Sequence, residues 1–421
     1  MHHRLCYKRL LSVAVLGSLN AVPVLAHASG FRIPEASIAG LGSANALVAD
    51  ATDPGALAYN PAGMGFHDGM SLTAGVIAID PNISVITATG SHESQVDSPF
   101  YVPTLFLMGK IDPQWSWGLN VNSPFGLETN WPNEAFPTFG PLPSPPFPPG
   151  TNIDPLEPSR SKIALVNVNP NIAFKANANT SIAFGLDYYY VKEARLDTQG
   201  VKLKGDGGDI GWNVALMNVN GPWSFGISYR SPVEVDIEGT LSAGPSSGPG
   251  KTAITFPALL QVGTRYQVNA NLALEVDIEM MRWSSFDVLT VTHGAPGVPT
   301  PIVSVNDWND SIAYRFGGSY KLGADSKLRF GYAFDETPQD IARFNPRVPD
   351  SDRHLFSVGY SQNIIGWTVD AGYTYLTAKN RNVVSSVPFG TYGTDANGTS
   401  AYNGKYQFNA HLFGLGVSKK F

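Results

Sequence analysis

Residues 223–230 read Trp-Ser-Phe-Gly-Ile-Ser-Tyr-Arg, with a large apolar or aromatic side chain at every second position. Successive side chains of a β-strand point to opposite faces, so this period predicts a strand with one apolar face and one small or polar face. The same alternation recurs in residues 182–190, 272–280 and 328–334. Such an apolar face packs inside a soluble β-sandwich or faces lipid in a transmembrane barrel.

The spacing of the turns separates these two classes. We expect about 14 strands, near 70–79, 99–110, 115–121, 163–176, 180–196, 205–219, 223–239, 252–268, 271–292, 309–322, 326–337, 354–364, 366–380 and 403–421. Tight turns then alternate with longer loops near 80–98, 122–162, 197–204, 240–251, 293–308, 338–353 and 381–402. Short turns on one side and long loops on the other are typical of outer-membrane barrels. The sequence therefore predicts an all-β, antiparallel transmembrane barrel.

The last strand agrees with this prediction. Phe413, Leu415 and Val417 share one face, and the chain ends in Phe421. A terminal aromatic residue after such alternation is typical of barrels that are handed to the barrel-assembly machinery of the outer membrane, although a C-terminal Phe alone is weak evidence.

The N-terminus predicts export. Three basic residues, Arg4, Lys8 and Arg9, precede a short apolar run at 10–19, and Ala26-His27-Ala28 fits the cleavage rule for a signal peptide. A membrane anchor would need about 20 apolar residues, so the run is too short to span a bilayer. We expect residues 1–28 to be removed.

Composition excludes several classes of function. Without residues 1–28, which hold three basic and no acidic residues, the net charge of −6 becomes −9, which disfavours a nucleic-acid partner. The single cysteine, Cys6, leaves with the signal, so no disulfide, cysteine-bound zinc or cysteine nucleophile is expected. No later apolar run reaches the roughly 18 residues of a transmembrane helix.

Residues 29–68 differ from the strands that follow. They are small and rich in turns, with Gly40-Leu41-Gly42, Asp53-Pro54-Gly55 and Asn60-Pro61-Ala62-Gly63. An eight-stranded barrel is already filled by side chains, so a barrel of about 14 strands leaves a lumen that needs a plug. We predict a luminal hatch at 29–68 and a barrel at 69–421. The alternative is a mobile periplasmic tail.

Several motifs occur along the chain: Gly30-Phe31, residues 39–42, Asn60-Pro61-Ala62, and residues 124–131, 211–213, 226–231, 238–239, 283–287 and 346–353. Together they resemble the FadL-type family of outer-membrane transporters for long-chain fatty acids and other hydrophobic compounds. They follow the family's order along nearly the whole mature chain. The resemblance implies a 14-stranded barrel with an N-terminal hatch and energy-independent uptake. It also implies capture by loops, an internal pocket, and exit through a lateral gap at a kinked third strand.

This resemblance suggests which residues gate the channel. The hatch candidates are Gly30, Phe31, Asn60, Pro61 and Ala62. Gly118, Pro124 and Gly126 are candidates for the kink, because proline lacks a ladder donor and glycine weakens strand pairing. Pro124 could instead simply end the strand.

The loop after the third strand is rich in proline and carries aromatic side chains. Trp131, Phe136, Phe139 and Phe147 are candidates for capturing an apolar substrate, since proline lowers the entropy lost on binding. The alternative is a rigid lid against lipopolysaccharide or phage.

A fatty acid would need a cation inside an apolar pocket, because an unpaired buried charge is costly. The head-group candidates are Lys192 and Arg195. Three arginines on lumen faces, Arg230, Arg315 and Arg329, are expected to pair with acids such as Asp187, Glu275 and Asp277. Without a pocket cation, a neutral hydrocarbon becomes the better substrate.

Signatures of catalysis are missing from the sequence. Residues 244–252 resemble a phosphate loop, but the spacing before Gly250-Lys251-Thr252 is one residue too long. No hydrolase elbow or zinc-protease motif occurs, and the histidines lack metal-ligand spacing. We therefore predict no enzyme, no cofactor and no metal.

The predicted function is an outer-membrane channel for passive uptake of hydrophobic compounds, with long-chain fatty acids first. The alternatives are a channel for aromatic or alkane hydrocarbons and an adhesin-like structural barrel. The expected partners are the hydrophobic substrate, outer-membrane lipid and lipopolysaccharide, with no nucleic acid, and the chain is expected to act as a monomer.

Overall fold

A computed structural model describes residues 30–133, 135–136, 157–298, 300–386 and 400–421. The predicted signal peptide, residues 1–28, lies outside this range. The strands in the described range are β1 Met70–Thr87, β2 Gly90–Glu93, β3 Phe100–Lys110, β4 Trp115–Asn122, β5 Gly126–Asn130, β6 Pro158–Lys175, β7 Thr180–Thr198, β8 Lys202–Asn220, β9 Trp223–Arg230, β10 Val233–Ala243, β11 Ser246–Phe256, β12 Leu259–Gln267, β13 Leu272–Met281, β14 Val288–His293, β15 Ile302–Val305, β16 Ser311–Lys321, β17 Ser326–Asp335, β18 Arg353–Ile364, β19 Trp367–Ala378, β20 Arg381–Val383 and β21 Gly404–Lys420.

The strands close into an antiparallel barrel. β1 pairs with β3 on one side and with β21 on the other, from Ser71↔Lys420 to Ile86↔Lys405. Within the described residues, five barrel strands are interrupted, and they consist of β4 with β5, β9 with β10, β11 with β12, β13 with β14, and β19 with β20. The short strands β2 and β15 form hairpins with β1 and β14 and are not barrel strands of their own. Counted in this way, the barrel has 14 strands, as the sequence predicted.

The wall presents an apolar face outward and a small or polar face inward. On β7, Ile182, Phe184 and Leu186 are exposed, while Ala183 and Asp187 are buried. Aromatic rings cluster at the short-turn end, where Trp223 lies 4.4 Å from the ring of Tyr266. This arrangement fits a lipid-facing band with interfacial aromatic residues.

Two of the expected long loops are strands instead. The β7–β8 and β10–β11 connections consist only of residues 199–201 and 244–245, and their strands continue beyond the apolar band. The predictions of loops near 197–204 and 240–251 were therefore wrong. Ladder pairing of Arg195 with Lys204 and of Glu238 with Lys251 holds these polar segments in extended conformation.

The N-terminal segment fills the lumen, and we call residues 30–69 the plug. It contains helix α1 at Ile38–Leu41 and 3₁₀ helices at Pro54–Ala58 and Pro61–Phe66. Ser37, Asp53 and Asn60 each cap one of these helices by accepting a backbone N–H. Most plug residues are buried, including Leu41, Val48 and Met64.

The chain end is tied to the barrel seam. The backbone N–H of Phe421 donates to the carbonyl oxygen of Met70 at 2.8 Å, and the Phe421 side chain is exposed. Across the ranges that the structure describes, no helix is long and apolar enough to cross a membrane.

Candidate functional site

Buried ion pairs hold the plug inside the barrel. Asp53 of the plug contacts Arg329 at 2.5 Å and Lys327 at 3.1 Å, and Asp50 contacts Arg265 at 3.1 Å. Removing one partner of a buried ion pair leaves the other charge buried and unpaired, which is costly. These contacts therefore hold the plug in one position.

The plug also shares hydrogen bonds with the wall. The Asn60 amide, which is fully buried, donates to the carbonyl oxygens of Val48 at 2.9 Å and of Leu216 at 3.0 Å. The carboxylate of Glu275 accepts the N–H of Ala49 at 2.7 Å. Asn60 therefore caps a plug helix and joins the plug to β8.

The lumen arginines are paired, as expected from the sequence, but mostly with other acids. Arg230 pairs with Asp187. Arg315 contacts Glu279 at 3.2 Å, and Arg329 contacts Asp370 at 3.2 Å in addition to Asp53. The charges of these arginines are therefore neutralised by acidic side chains of the barrel and the plug.

The third barrel strand is broken between β4 and β5. Asn122 faces Asn167 and Gly126 faces Ala164 on β6, so Ser123, Pro124 and Phe125 stand opposite two residues. Pro124 lies within this break, and Gly126 begins β5. Gly118 lies inside the regular β4 ladder, where a Cβ would come within 2.5 Å of Met64 Sδ, so this glycine admits the plug.

A window opens in the wall beside the break. β3 pairs with β4 only from Leu105 to Lys110, and in the described chain β5 pairs only with β6. Above the window, the N–H of Gln95 donates to the carbonyl oxygen of Asn130 at 2.7 Å. The window is thus bounded below by the Leu105↔Val121 pair and above by Gln95 and Asn130.

The first residues of the plug pair with the break from the inside. Arg32 and Phe125 form an isolated antiparallel bridge. The N–H of Ile33 donates to Pro124 O at 2.9 Å, and the N–H of Gly126 donates to Phe31 O at 3.0 Å. Plug residues therefore take ladder hydrogen bonds that a neighbouring strand would otherwise make.

Phe31 lies between two chambers, an outer one with largely apolar walls and an inner one whose walls also carry charged residues such as Arg32 and Arg353. The outer chamber lies beneath the β14–β15 hairpin and encloses about 920 Å³ including its open mouth. The inner chamber encloses about 1850 Å³ including its open mouth. Phe31 lines both chambers and packs against five rings, at centroid distances from 4.6 to 6.3 Å: Phe125, Phe256, Trp283, Phe286 and Trp308.

The inner chamber reaches from the lumen to the window. Its lumen walls include Leu355, Phe408 and Leu412, and its window edges include Val102 and Ser123. Tyr101, which is exposed on the outside of the barrel, also borders it. The plug, the break and the two chambers thus form one continuous arrangement that can pass an apolar molecule.

Comparison with known proteins places this arrangement in a family. The family model described as outer membrane protein transport protein (OMPP1/FadL/TodX) matches residues 19–139 and 156–421. The chain belongs to this family. It is also 24% identical to a long-chain fatty acid transport protein of Escherichia coli O6:H1, over 98% of each chain.

Solved structures share the fold. A Pseudomonas aeruginosa FadL homologue matches with a TM-score of 0.73 at 19% identity, over 93% of this chain and all of the other. The Pseudomonas putida toluene transporter TodX matches with a TM-score of 0.69 at 15% identity, over 93% and 100%. Membership of the OMPP1/FadL/TodX family places the protein in the outer membrane.

The capture candidates of this family member are partly visible. Trp131 and Phe136 are buried and pack against each other at 5.6 Å, within a cluster that includes Tyr402 and Tyr406. These two rings therefore lie in a buried cluster on the long-loop side of the barrel. Phe139 and Phe147 lie outside the described residues, so capture by this loop stays a prediction.

The head-group candidates lie on the outer face of β7 and also border the chambers, Arg195 the outer one and Lys192 the inner one. Lys192 is exposed, and Arg195 pairs with Asp197 at 2.8 Å. The ladder of β7 shifts by one residue between Val191 and Ala194, which turns Arg195 to the face opposite the one that strict alternation predicts. A head-group role for either residue stays a prediction.

Sequence reasoning missed Arg347 as a pocket cation. It lines the outer chamber, and its Nη1 donates to Ser161 Oγ and to Asp197 O, both at 2.8 Å. Burial lowers the pKa of this guanidinium. Within the described ranges no carboxylate forms an ion pair with it. Its position between Pro346 and Val348, in a motif already noted for its resemblance, was the available signal.

In the residues that the structure describes, no three His, Cys, Asp or Glu side chains come together in a group that could hold a metal ion.

Proposed function

We propose that this protein is a passive outer-membrane channel for hydrophobic compounds, with long-chain fatty acids as its principal substrates. The observation that carries the proposal is the window beside Pro124, which joins the inner chamber to the outside and is bridged from within by residues 31–33. No catalytic step is part of the proposal, and we expect a monomer that is assembled through Phe421.

The proposed path has three stages. A substrate enters the outer chamber beneath the β14–β15 hairpin. Withdrawal of Phe31 then joins the outer chamber to the inner one, because this ring lines both. Release of the Arg32–Phe125 bridge frees the edge of the window, and the substrate leaves sideways through it. Gly30, Pro61 and Ala62 are proposed to move with this plug segment.

Arg347 supports a carboxylate head group. A planar guanidinium binds carboxylate oxygens well, and within the described residues Arg347 donates from Nη1 to two neutral acceptors, Ser161 Oγ and Asp197 O. A fatty acid would place its carboxylate there and its chain among Leu127, Ile163 and Phe286. A neutral aromatic hydrocarbon is the second candidate, because the remaining walls of the chamber are largely apolar.

The test is uptake by a bacterial strain that lacks its own fatty-acid channel and expresses this protein. We expect faster entry of radiolabelled oleate, and a loss of oleate but not toluene uptake in Arg347→Met. Arg282→Met, at an exposed arginine, is the matched control. Neither compound entering faster than with an empty vector, despite folded protein in the membrane, would overturn the proposal.

The lateral route needs a separate variant. Ser123→Trp places a bulky ring at the edge of the window and should slow uptake of both compounds. Val369→Trp, on the lipid-facing side of β19, should leave uptake unchanged. Equal uptake by the two variants would argue for exit through the periplasmic side.

A further inference from the structure

A basic patch lies on the outer face of β6, β7 and β8. Lys162 stands opposite Arg195, and Arg195 stands opposite Lys204. Directly opposed residues share a face of a sheet, so these three cations lie side by side. Glu193 links them, with carboxylate contacts of 3.5 Å to Lys162, 3.9 Å to Arg195 and 3.6 Å to Lys204.

The alternation along β8 shows that this face is the outer one. Every second residue from Lys202 to Leu216 is exposed, and this set includes Lys204 and the lipid-facing Trp212. Lys192 is the extra residue of the β7 bulge, because Val191 and Glu193 pair with the adjacent residues Leu165 and Ala164.

The patch begins where the apolar band ends. Tyr188, Tyr190 and Ile210 are exposed on the outer face just below it. The β7–β8 hairpin is on the long-loop side of the barrel, which is the extracellular side in outer-membrane barrels. This height corresponds to the head groups of the outer leaflet, and the patch also borders the window through Lys162, Lys192 and Lys204.

The charges in the patch favour an anion. Five cations, Arg160, Lys162, Lys192, Arg195 and Lys204, surround three carboxylates, Glu128, Glu193 and Asp197. The Lys204 side chain is 65% exposed, so it can still take a ligand. Beyond it Asp206 stands opposite Glu238, and Glu238 is paired with Lys251, so the next strands carry no excess of positive charge there. An anionic head group would therefore be held over β6 and β7.

We propose that Lys162, Lys192, Arg195 and Lys204 bind a phosphate of lipopolysaccharide, the phosphorylated glycolipid of the outer leaflet. Phosphate oxygens match lysine and arginine donors, and the acyl chains lie along Tyr188, Tyr190 and Trp212. The lipid sits beside the window. The proposal requires only the outer-membrane location and is independent of the substrate that the channel carries.

The experiment is native mass spectrometry of the full chain in detergent with bisphosphorylated lipid A. The combined variant Lys162→Gln, Arg195→Gln, Lys204→Gln should weaken binding about tenfold. A control that replaces three exposed lysines elsewhere, Lys321, Lys379 and Lys405, by Gln should bind like the wild type. Lys204→Glu alone, at the most exposed member, tests the patch should the combined variant fail to fold.

Three further arms decide between sources of the anion. Dephosphorylated lipid A should bind the wild type and the combined variant equally and weakly. Millimolar inorganic phosphate should not displace lipid A, and phosphatidylglycerol should bind less well than lipid A. Unchanged lipid A binding by the variants, displacement by free phosphate, or equal binding of phosphatidylglycerol would each overturn the proposal. So would a loss of oleate uptake in the combined variant with lipid A binding intact, which would return Arg195 to a head-group role.

Discussion

The backbone N–H of Gly126 donates to the carbonyl oxygen of Phe31 at 3.0 Å, which joins the first turn of the plug to the point where the third barrel strand resumes. Phe31, which lies between the two chambers, and Gly126, at the edge of the window, thus belong to one hydrogen-bonded segment. Movement of the plug must therefore change both.

Phe31→Ala should loosen this segment. Truncating a buried phenylalanine costs about 3–5 kcal/mol, and here it also removes the ring between the two chambers. We expect larger ion conductance in planar bilayers and faster exchange of a fluorescent hydrophobic probe. Phe316→Ala, on the lipid-facing side of β16, is the control. Wild-type conductance in Phe31→Ala would count against this gate.

Gly226→Ala should displace the plug from β9. A Cβ at Gly226 would lie 2.0 Å from the carbonyl oxygen of Val48. This backbone atom can move only together with the neighbouring part of the plug. We expect a correctly closed barrel with raised conductance, seen together with normal heat modifiability on gels. Gly323→Ala, where a Cβ meets nothing within 4 Å, should behave like the wild type.

Asn60→Asp tests the hydrogen bonds that the Asn60 amide donates, separately from its role as a helix cap. The Asp side chain can still cap the helix at Pro61, but it cannot donate to the carbonyl oxygens of Val48 and Leu216. Two buried acceptors would face a carboxylate, so the plug should be destabilised. Faster labelling of a cysteine introduced in the plug would show this, and Asn403→Asp in an exposed loop should show no change.

Asp53→Asn should weaken the anchorage of the plug through Arg329. Breaking a buried pair by removing one partner costs about 3–5 kcal/mol, although Asp370 still faces Arg329. We expect earlier exposure of the plug in urea, followed by limited proteolysis. Asp310→Asn, at an exposed pair with Arg282, should leave the midpoint unchanged.

Glu336 should make the stability of the loop at residues 338–353 depend on pH. Burial raises the pKa of this carboxyl from 4.5 to about 7. The folded loop therefore binds the proton more tightly than the unfolded chain does, and its stability falls as pH rises from about 4.5 to 7. Proteolysis of residues 338–353 should be slower at pH 5 than at pH 8. Glu336→Gln should flatten this difference and Glu238→Gln, at an exposed carboxyl, should preserve it.

The alternation of side chains and the spacing of the turns determined the barrel, its 14 strands and the place of the plug from the sequence alone. These features are encoded locally, because the face of a strand residue follows from its position in the alternation. The sequence also pointed to Phe31, Asn60 and Pro124.

Only the tertiary structure decided how these residues meet. One extra residue in β7 places Arg195 on the opposite face of the strand, and no local sequence pattern indicates such a bulge. Among the described cations that line the outer chamber, Arg347 is the one without an ion pair. The lumen arginines, in contrast, bind acids that are distant in sequence, as Arg329 binds Asp53. The window, likewise, depends on which strands do not pair, and strand pairing is a long-range property of the closed barrel.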